Sequence, residues 1–188
     1  MKRLLQMGLV LGLLAPLTSC GWYTNVPAQI QVKSIQPSAV TVSYAEPGAG
    51  AKSTYVATVG DAVLTLSGQP GSIGVNFRNA KVDYFAPGNE NAVFSRNYPI
   101  DLRVEPSVYR EDPRKDELGT NNWEDAKLII GTGQLSLPML VDRAVIDYGF
   151  GRTTSMLYAL ITFSGEDDAK FPQTFEVSVP IVFSGYAQ

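Results

Sequence analysis

The chain has 188 residues, 45% of them apolar and 18% charged, with one cysteine, no histidine and a formal net charge of −3. That length and apolar content suit a folded domain with its own core and exclude a disordered chain. The missing residue types exclude imidazole-dependent catalytic triads, histidine-containing metal sites and any internal disulfide, and the acidic balance disfavours nucleic acid as a partner.

The N-terminus comes first. Lys2 and Arg3 precede a mostly apolar run of 14 residues, Leu4 to Leu17, interrupted late by Pro16. As a helix it would span about 21 Å, short of the roughly 30 Å hydrocarbon core, so it reads as a leader to be removed rather than a permanent span. The segment ends in Leu17-Thr18-Ser19-Cys20, which holds the only cysteine. It resembles the lipobox of bacterial lipoprotein precursors. The resemblance covers about twenty residues. It implies recognition through Leu17 and Ser19, cleavage after Ser19, and a covalent lipid on Cys20; no other cofactor is expected. Loss of Lys2 and Arg3 leaves 13 basic against 18 acidic side chains.

Residue 21 is glycine, whereas in the resembled family aspartate directly after the cysteine often signals inner-membrane retention. A cell-envelope address at the outer membrane or cell surface is therefore the expectation. Trp22 and Tyr23 suit a membrane interface, a partner protein or their own domain. Residues 20–28 form a short tether without a Ser/Gly run. Eight residues at about 3.3 Å each reach some 26 Å, so the domain is held close to the bilayer.

From residue 29 to 188 the dominant period is two, the signature of half-buried strands. Ile30 and Val32 share a face, as do Val40, Val42 and Tyr44, then Ala62, Leu64 and Leu66, then Ile73, Val75 and Phe77. YPIDLRVE alternates Tyr98, Ile100, Leu102 and Val104 with polar residues, and FEVSVPIVF does the same from Phe175 to Phe183. LYALITF (157–163) is apolar on both faces and reads as a central strand, while Pro180 suggests an edge or bulge in the last one. Turn-rich stretches such as SGQPGS, APGNEN and GEDDAK separate the runs. The expectation is an all-β fold, a single antiparallel β-sandwich of 8–10 strands that resembles immunoglobulin-like and fibronectin-like domains.

Two stretches depart from the alternation. Residues 109–127 form a charged insertion: seven of the eight residues from Arg110 to Glu117 are charged, and Asn122 could cap a short helix. Trp123 within it marks either a contact surface or a ring pinning the loop to the domain. Between 137 and 148, Leu137, Leu140, Val141, Ala144, Val145 and Tyr148 have helical spacing, but Pro138 and the β-branched AVIDY favour a strand from about 143.

Motif-like stretches carry little chemistry. GAGAKST (48–54) lacks the glycines of a phosphate loop, with Ala51 and Glu46 in their places. Gly68, Gly71 and Gly74 read as turn glycines. Glu166, Asp167 and Asp168 form an acidic tip, either a solvated turn or a weak Ca²⁺ candidate, since three adjacent side chains cannot supply six to eight oxygens alone. No catalytic residue emerges and the chain is expected not to be an enzyme; a carboxylate-dependent hydrolase is the remote alternative. The expected role is an envelope lipoprotein acting as a structural or protein-interaction module, its partners membrane lipid and another envelope protein. The alternative is a polysaccharide- or Ca²⁺-binding module.

Overall fold

Alternation becomes burial where it is strongest. In the computed structural model, which describes residues 28–49, 55–110, 127–151 and 155–185, Val40, Val42 and Tyr44 are buried along one face of their strand. Ala62, Leu64 and Leu66, and then Ile100, Leu102 and Val104, are buried in the same alternating manner. A strand places successive side chains on opposite faces, so each such triplet commits one face to the interior.

The protein is mostly β. Its strands are β1 (Ile30–Gln36), β2 (Val40–Ala45), β3 (Val56–Val59), β4 (Val63–Gly68), β5 (Val75–Phe85), β6 (Phe94–Val104), β7 (Val108–Arg110), β8 (Lys127–Ile129), β9 (Thr132–Ser136), β10 (Met156–Asp167) and β11 (Pro172–Gly185). They form a three-stranded sheet β1-β4-β9, a six-stranded sheet β3-β2-β11-β10-β5-β6, and a two-stranded ribbon β7-β8. Eleven strands among the described residues exceed the expected range, the ribbon adding two at the ends of the stretch expected to be a charged insertion. The larger sheet is mixed rather than wholly antiparallel: β2 runs parallel to β11, Val40 beside Ile181.

The two larger sheets share one apolar cluster. Leu64, Leu66 and Leu135 from the smaller join Phe77, Tyr84, Phe163 and Ile181 from the larger. At one margin the larger sheet curls towards the smaller, and the Glu105 N–H donates to the Thr132 carbonyl at 3.4 Å. The approach requires glycine: a Cβ on Gly131 would lie 1.8 Å from the Glu105 carbonyl oxygen, and one on Gly133 2.2 Å from that of Arg103.

Three local expectations change. The strand favoured from about 143 is a helix, α1 (Arg143–Phe150), preceded by a 3₁₀ turn at Leu137–Leu140. Asp142 caps it, its carboxylate accepting the Val145 N–H at 3.0 Å. Packing overrides the β-branched residues: Val145 is fully buried, and the Ile146 carbonyl accepts the Tyr44 hydroxyl at 2.7 Å. Val32 keeps the register of Ile30, opposite Leu66 as Ile30 is opposite Gly68, but is 40% exposed where the strand reaches a bulge between Val32 and Ser34.

Pro180 lies in an interior strand, not at an edge. The Phe183 N–H donates towards β10, so by alternation position 180 faces the β2 side, where pairing begins only at Ile181. The proline therefore removes no ladder bond. The central placement of 157–163 holds, with β10 between β11 and β5. Among the described residues, no helix is long and apolar enough to cross a membrane.

Candidate functional site

The residues that carry the resemblance, Leu17, Ser19 and Cys20, lie outside the described residues, as do Trp22, Tyr23, Asn122 and Trp123. The structure does show where the chain that follows them joins the fold, and what surrounds that point.

The join is built around two serines. The Gln29 N–H donates to the Ser72 hydroxyl at 3.0 Å, and the Gln29 carbonyl accepts from Gln69 N–H at 2.8 Å. The Ser72 carbonyl in turn accepts the Ser107 N–H at 2.9 Å. Ser107 is 1% exposed; its hydroxyl donates to the Gly68 carbonyl at 3.0 Å and accepts the Gly131 N–H at 3.1 Å. A buried hydroxyl used in both directions satisfies two backbone groups that the strands leave unpaired. Four segments distant in sequence, at residues 29, 68–72, 107 and 131, are thereby tied at one end of the molecule.

From this knot the β7–β8 ribbon departs. Val108 lies opposite Ile129, and Tyr109 opposite Leu128. Val108, Tyr109, Ile129 and Ile130 are 38, 61, 41 and 39% exposed. The ribbon therefore shows apolar side chains on both faces. The consecutive apolar residues of Lys127-Leu128-Ile129-Ile130, set beside a charged insertion, were the available signal for this surface.

The acidic tip does not converge on a shared point. Asp167, 1% exposed, is used by its own turn: Oδ1 accepts the Ala169 and Phe171 N–H groups at 2.9 Å each, and Oδ2 the Gln173 amide at 2.9 Å. Asp168 forms a two-pronged pair with Arg103, at 2.5 and 3.0 Å, and accepts the Gly74 N–H at 3.1 Å. The Arg103 guanidinium, helped by its own charge and the Gly74 amide, holds the Asp168 carboxyl below its ordinary range. Glu166 is exposed. Among the described residues no group of three His, Cys, Asp or Glu could hold a metal ion. The tip's geometry fixes the β10–β11 hairpin and its contact with β6, a role sequence spacing could not display.

Beside that hairpin runs an open polar groove of about 380 Å³, lined by Asn76, Arg78, Asn79, Ser164, Gly165, Glu166, Asp167 and Lys170. It forms where β5 slips register against both neighbours, between Phe77 and Asn79 and between Ser164 and Gly165. Bulges re-aim side chains, and here they gather amides, a guanidinium, an ammonium and a carboxylate. Such a lining can hydrogen-bond a hydroxyl-rich molecule.

No protein-family model, no curated protein and no solved structure matches this chain. The arguments for function therefore come from the residues themselves.

Proposed function

We propose that this chain is a lipid-anchored lipoprotein of the cell envelope, at the outer membrane or cell surface, whose β domain is a structural or protein-interaction module rather than an enzyme. The observation that carries it is Leu17-Thr18-Ser19-Cys20 at the end of a basic-then-apolar leader. Two or three acyl chains at Cys20 would hold the protein stably, at about 0.8 kcal/mol per buried CH₂. The strand order favours an immunoglobulin-like reading of the domain. β1-β4-β9 corresponds to strands A-B-E, and β11-β10-β5-β6 to G-F-C-C′.

The test is the mature protein from its own membranes. Mass spectrometry is expected to find residue 20 as an acylated N-terminal cysteine, and Cys20→Ser to move the protein out of the membrane fraction. Retention of Cys20→Ser in membranes refutes the anchor. Crosslinking on intact cells is expected to recover an envelope protein partner; recovery of the chain alone refutes the assembly role.

A second reading, a polysaccharide-binding module, draws on the polar groove. In that reading Asn76, Asn79 and Lys170 contact sugar hydroxyls, and Asn79→Ala weakens glycan binding at least several-fold. A flat glycan array removes it.

A further inference from the structure

We propose that the groove beside the β10–β11 hairpin binds an acidic sugar, the carboxylate of a uronate taken by Arg78 and Lys170 and its ring hydroxyls by Asn76, Asn79 and Glu166. This rests on the polysaccharide-binding reading above and deepens it by naming the class of sugar.

Three observations carry it. The first is how the two cations reach the groove. Phe77 lies opposite Gly165 and Asn79 opposite Ser164, so Arg78 is the extra residue where β5 slips against β10. An extra residue of this kind aims its side chain out of the regular ladder. The slip is built into the sequence, since a Cβ on Gly165 would lie 1.9 Å from the Asn76 carbonyl oxygen. Lys170 stands in the hairpin turn, its N–H donating to the Asp167 carbonyl at 2.9 Å, with a φ of 68°. Glycine or asparagine usually fills such a left-handed position, because other side chains carry a backbone cost there. This chain places a lysine at that position, and its side chain lines the groove.

The second is which groups are uncommitted. Among the described residues, no side-chain hydrogen bond engages the Asn76 or Asn79 amide. Asn76 stands opposite Glu166, and Asn79 opposite Ser164, so the free amides share rungs with two other lining residues. Arg78 Nη1 lies 3.3 Å from Asp101 Oδ1, but the two side chains are 69 and 81% exposed. So open a pair is weak in water, and a ligand carboxylate can take the guanidinium from it. Asp167 is committed to its own turn, its two oxygens accepting from Ala169, Phe171 and Gln173. Asp168, beyond the lining, is held by Arg103 at 2.5 and 3.0 Å.

The third is the match of chemistry. A planar guanidinium meets a carboxylate with two parallel bonds, and an ammonium has three donors to share between a carboxylate and a neighbouring hydroxyl. Amides both donate and accept, as sugar hydroxyls do, and Glu166 accepts. A neutral sugar would leave both cations without a counter-charge, and a free inorganic anion would leave the amides unused. The volume of about 380 Å³ falls within the roughly 300–1,000 Å³ of small-molecule sites.

The experiment is calorimetric titration of the mature protein in a non-ionic detergent. The probes are tetramers of galacturonate and of mannuronate, their methyl esters, and a sulfated galactose tetramer. The parent is expected to bind at least one uronate tetramer about tenfold or more tighter than its ester, which keeps the ring hydroxyls and lacks the charge. That preference should shrink as salt rises from about 0.05 to about 0.5 M. Arg78→Gln and Lys170→Gln should each remove most of the preference and leave ester binding within about twofold, with the far-ultraviolet spectrum unchanged. Lys170→Gly separates ligand binding from folding: it should lose the preference while the thermal midpoint stays level or rises. Equal affinity for uronate and ester overturns the acidic class and leaves the polysaccharide reading standing. Tighter binding of the sulfated tetramer overturns the carboxylate. A uronate preference untouched by Arg78→Gln and Lys170→Gln overturns the assignment to this groove. A folded parent that binds none of the probes overturns this inference, and a flat glycan array on the same sample removes the polysaccharide reading with it.

Discussion

The Ser107 hydroxyl donates to the Gly68 carbonyl at 3.0 Å across a separation of 39 residues, and accepts the Gly131 N–H on its other side. Ser107→Ala leaves a buried donor and a buried acceptor unpaired. The expected loss is about 1–3 kcal/mol of unfolding free energy, read as a lowered urea midpoint with unchanged slope. A midpoint within error of the parent would mean that water replaces the hydroxyl.

Gly149 faces Phe183 with no room to spare: a Cβ there would lie 2.2 Å from a ring carbon. Gly149→Ala should lift α1 from the sheet and cost about 1–3 kcal/mol, despite alanine's better helix propensity. Phe183→Leu in the same chain should recover part of that loss, and a thermodynamic cycle of the four proteins measures the coupling.

Arg103 and Asp168 form an ion pair with side chains 33 and 40% exposed, so its worth is below about 1 kcal/mol after solvent screening. The arginine lowers the Asp168 pKa. A lowered carboxylate contributes above its ordinary value near 4 and loses that contribution as pH falls through its folded value. Arg103→Gln should therefore be less stable than the parent at pH 7, with the gap closing below about pH 4. Carboxyl carbon NMR should show Asp168 titrating higher in the variant.

Tyrosines anchor the helical segment. Tyr44 donates to the Ile146 carbonyl, and Tyr84 and Tyr98 both donate to that of Leu140. Burial, then the Tyr55 and Asp147 charges, push the Tyr44 hydroxyl up to about 12. A raised pKa gives stability that is complete below the ordinary tyrosine value near 10 and lost as pH climbs through the folded value. Alkaline unfolding should accordingly fall between about pH 10 and pH 12. Ultraviolet titration should show a late phenolate step that shrinks in Tyr44→Phe.

Much of the β architecture was legible because its signal is local. Val40-Val42-Tyr44 and Ala62-Leu64-Leu66 each need only a six-residue window to show which face is buried, and those faces are buried. LYALITF read as a central strand, and β10 lies between β11 and β5, although only one face is buried: Leu157, Ala159, Ile161 and Phe163 point inward while Tyr158 is 39% exposed. The segment 137–150 misled because two local signals disagreed. Apolar spacing favoured a helix and β-branched content a strand, and the choice fell to groups distant in sequence: Tyr44, Tyr84, Tyr98 and Phe183.

The sites divide in the same way. The acidic tip was visible as composition, yet its three carboxylates part company because Asp167 turns inward to its own loop and Asp168 outward to Arg103. The polar groove had no sequence signal, since it arises from register slips on both sides of β5.

By itself the sequence determined the β character, the absence of imidazole chemistry and the lipobox-like segment, because composition, alternation and short motifs are properties of neighbouring residues. Only the tertiary structure decided that Gln29, Ser72 and Ser107 meet at one end and that the apolar ribbon leaves from there. Hydrogen bonds across tens of residues depend on how the sheets close, and no local window contains both partners.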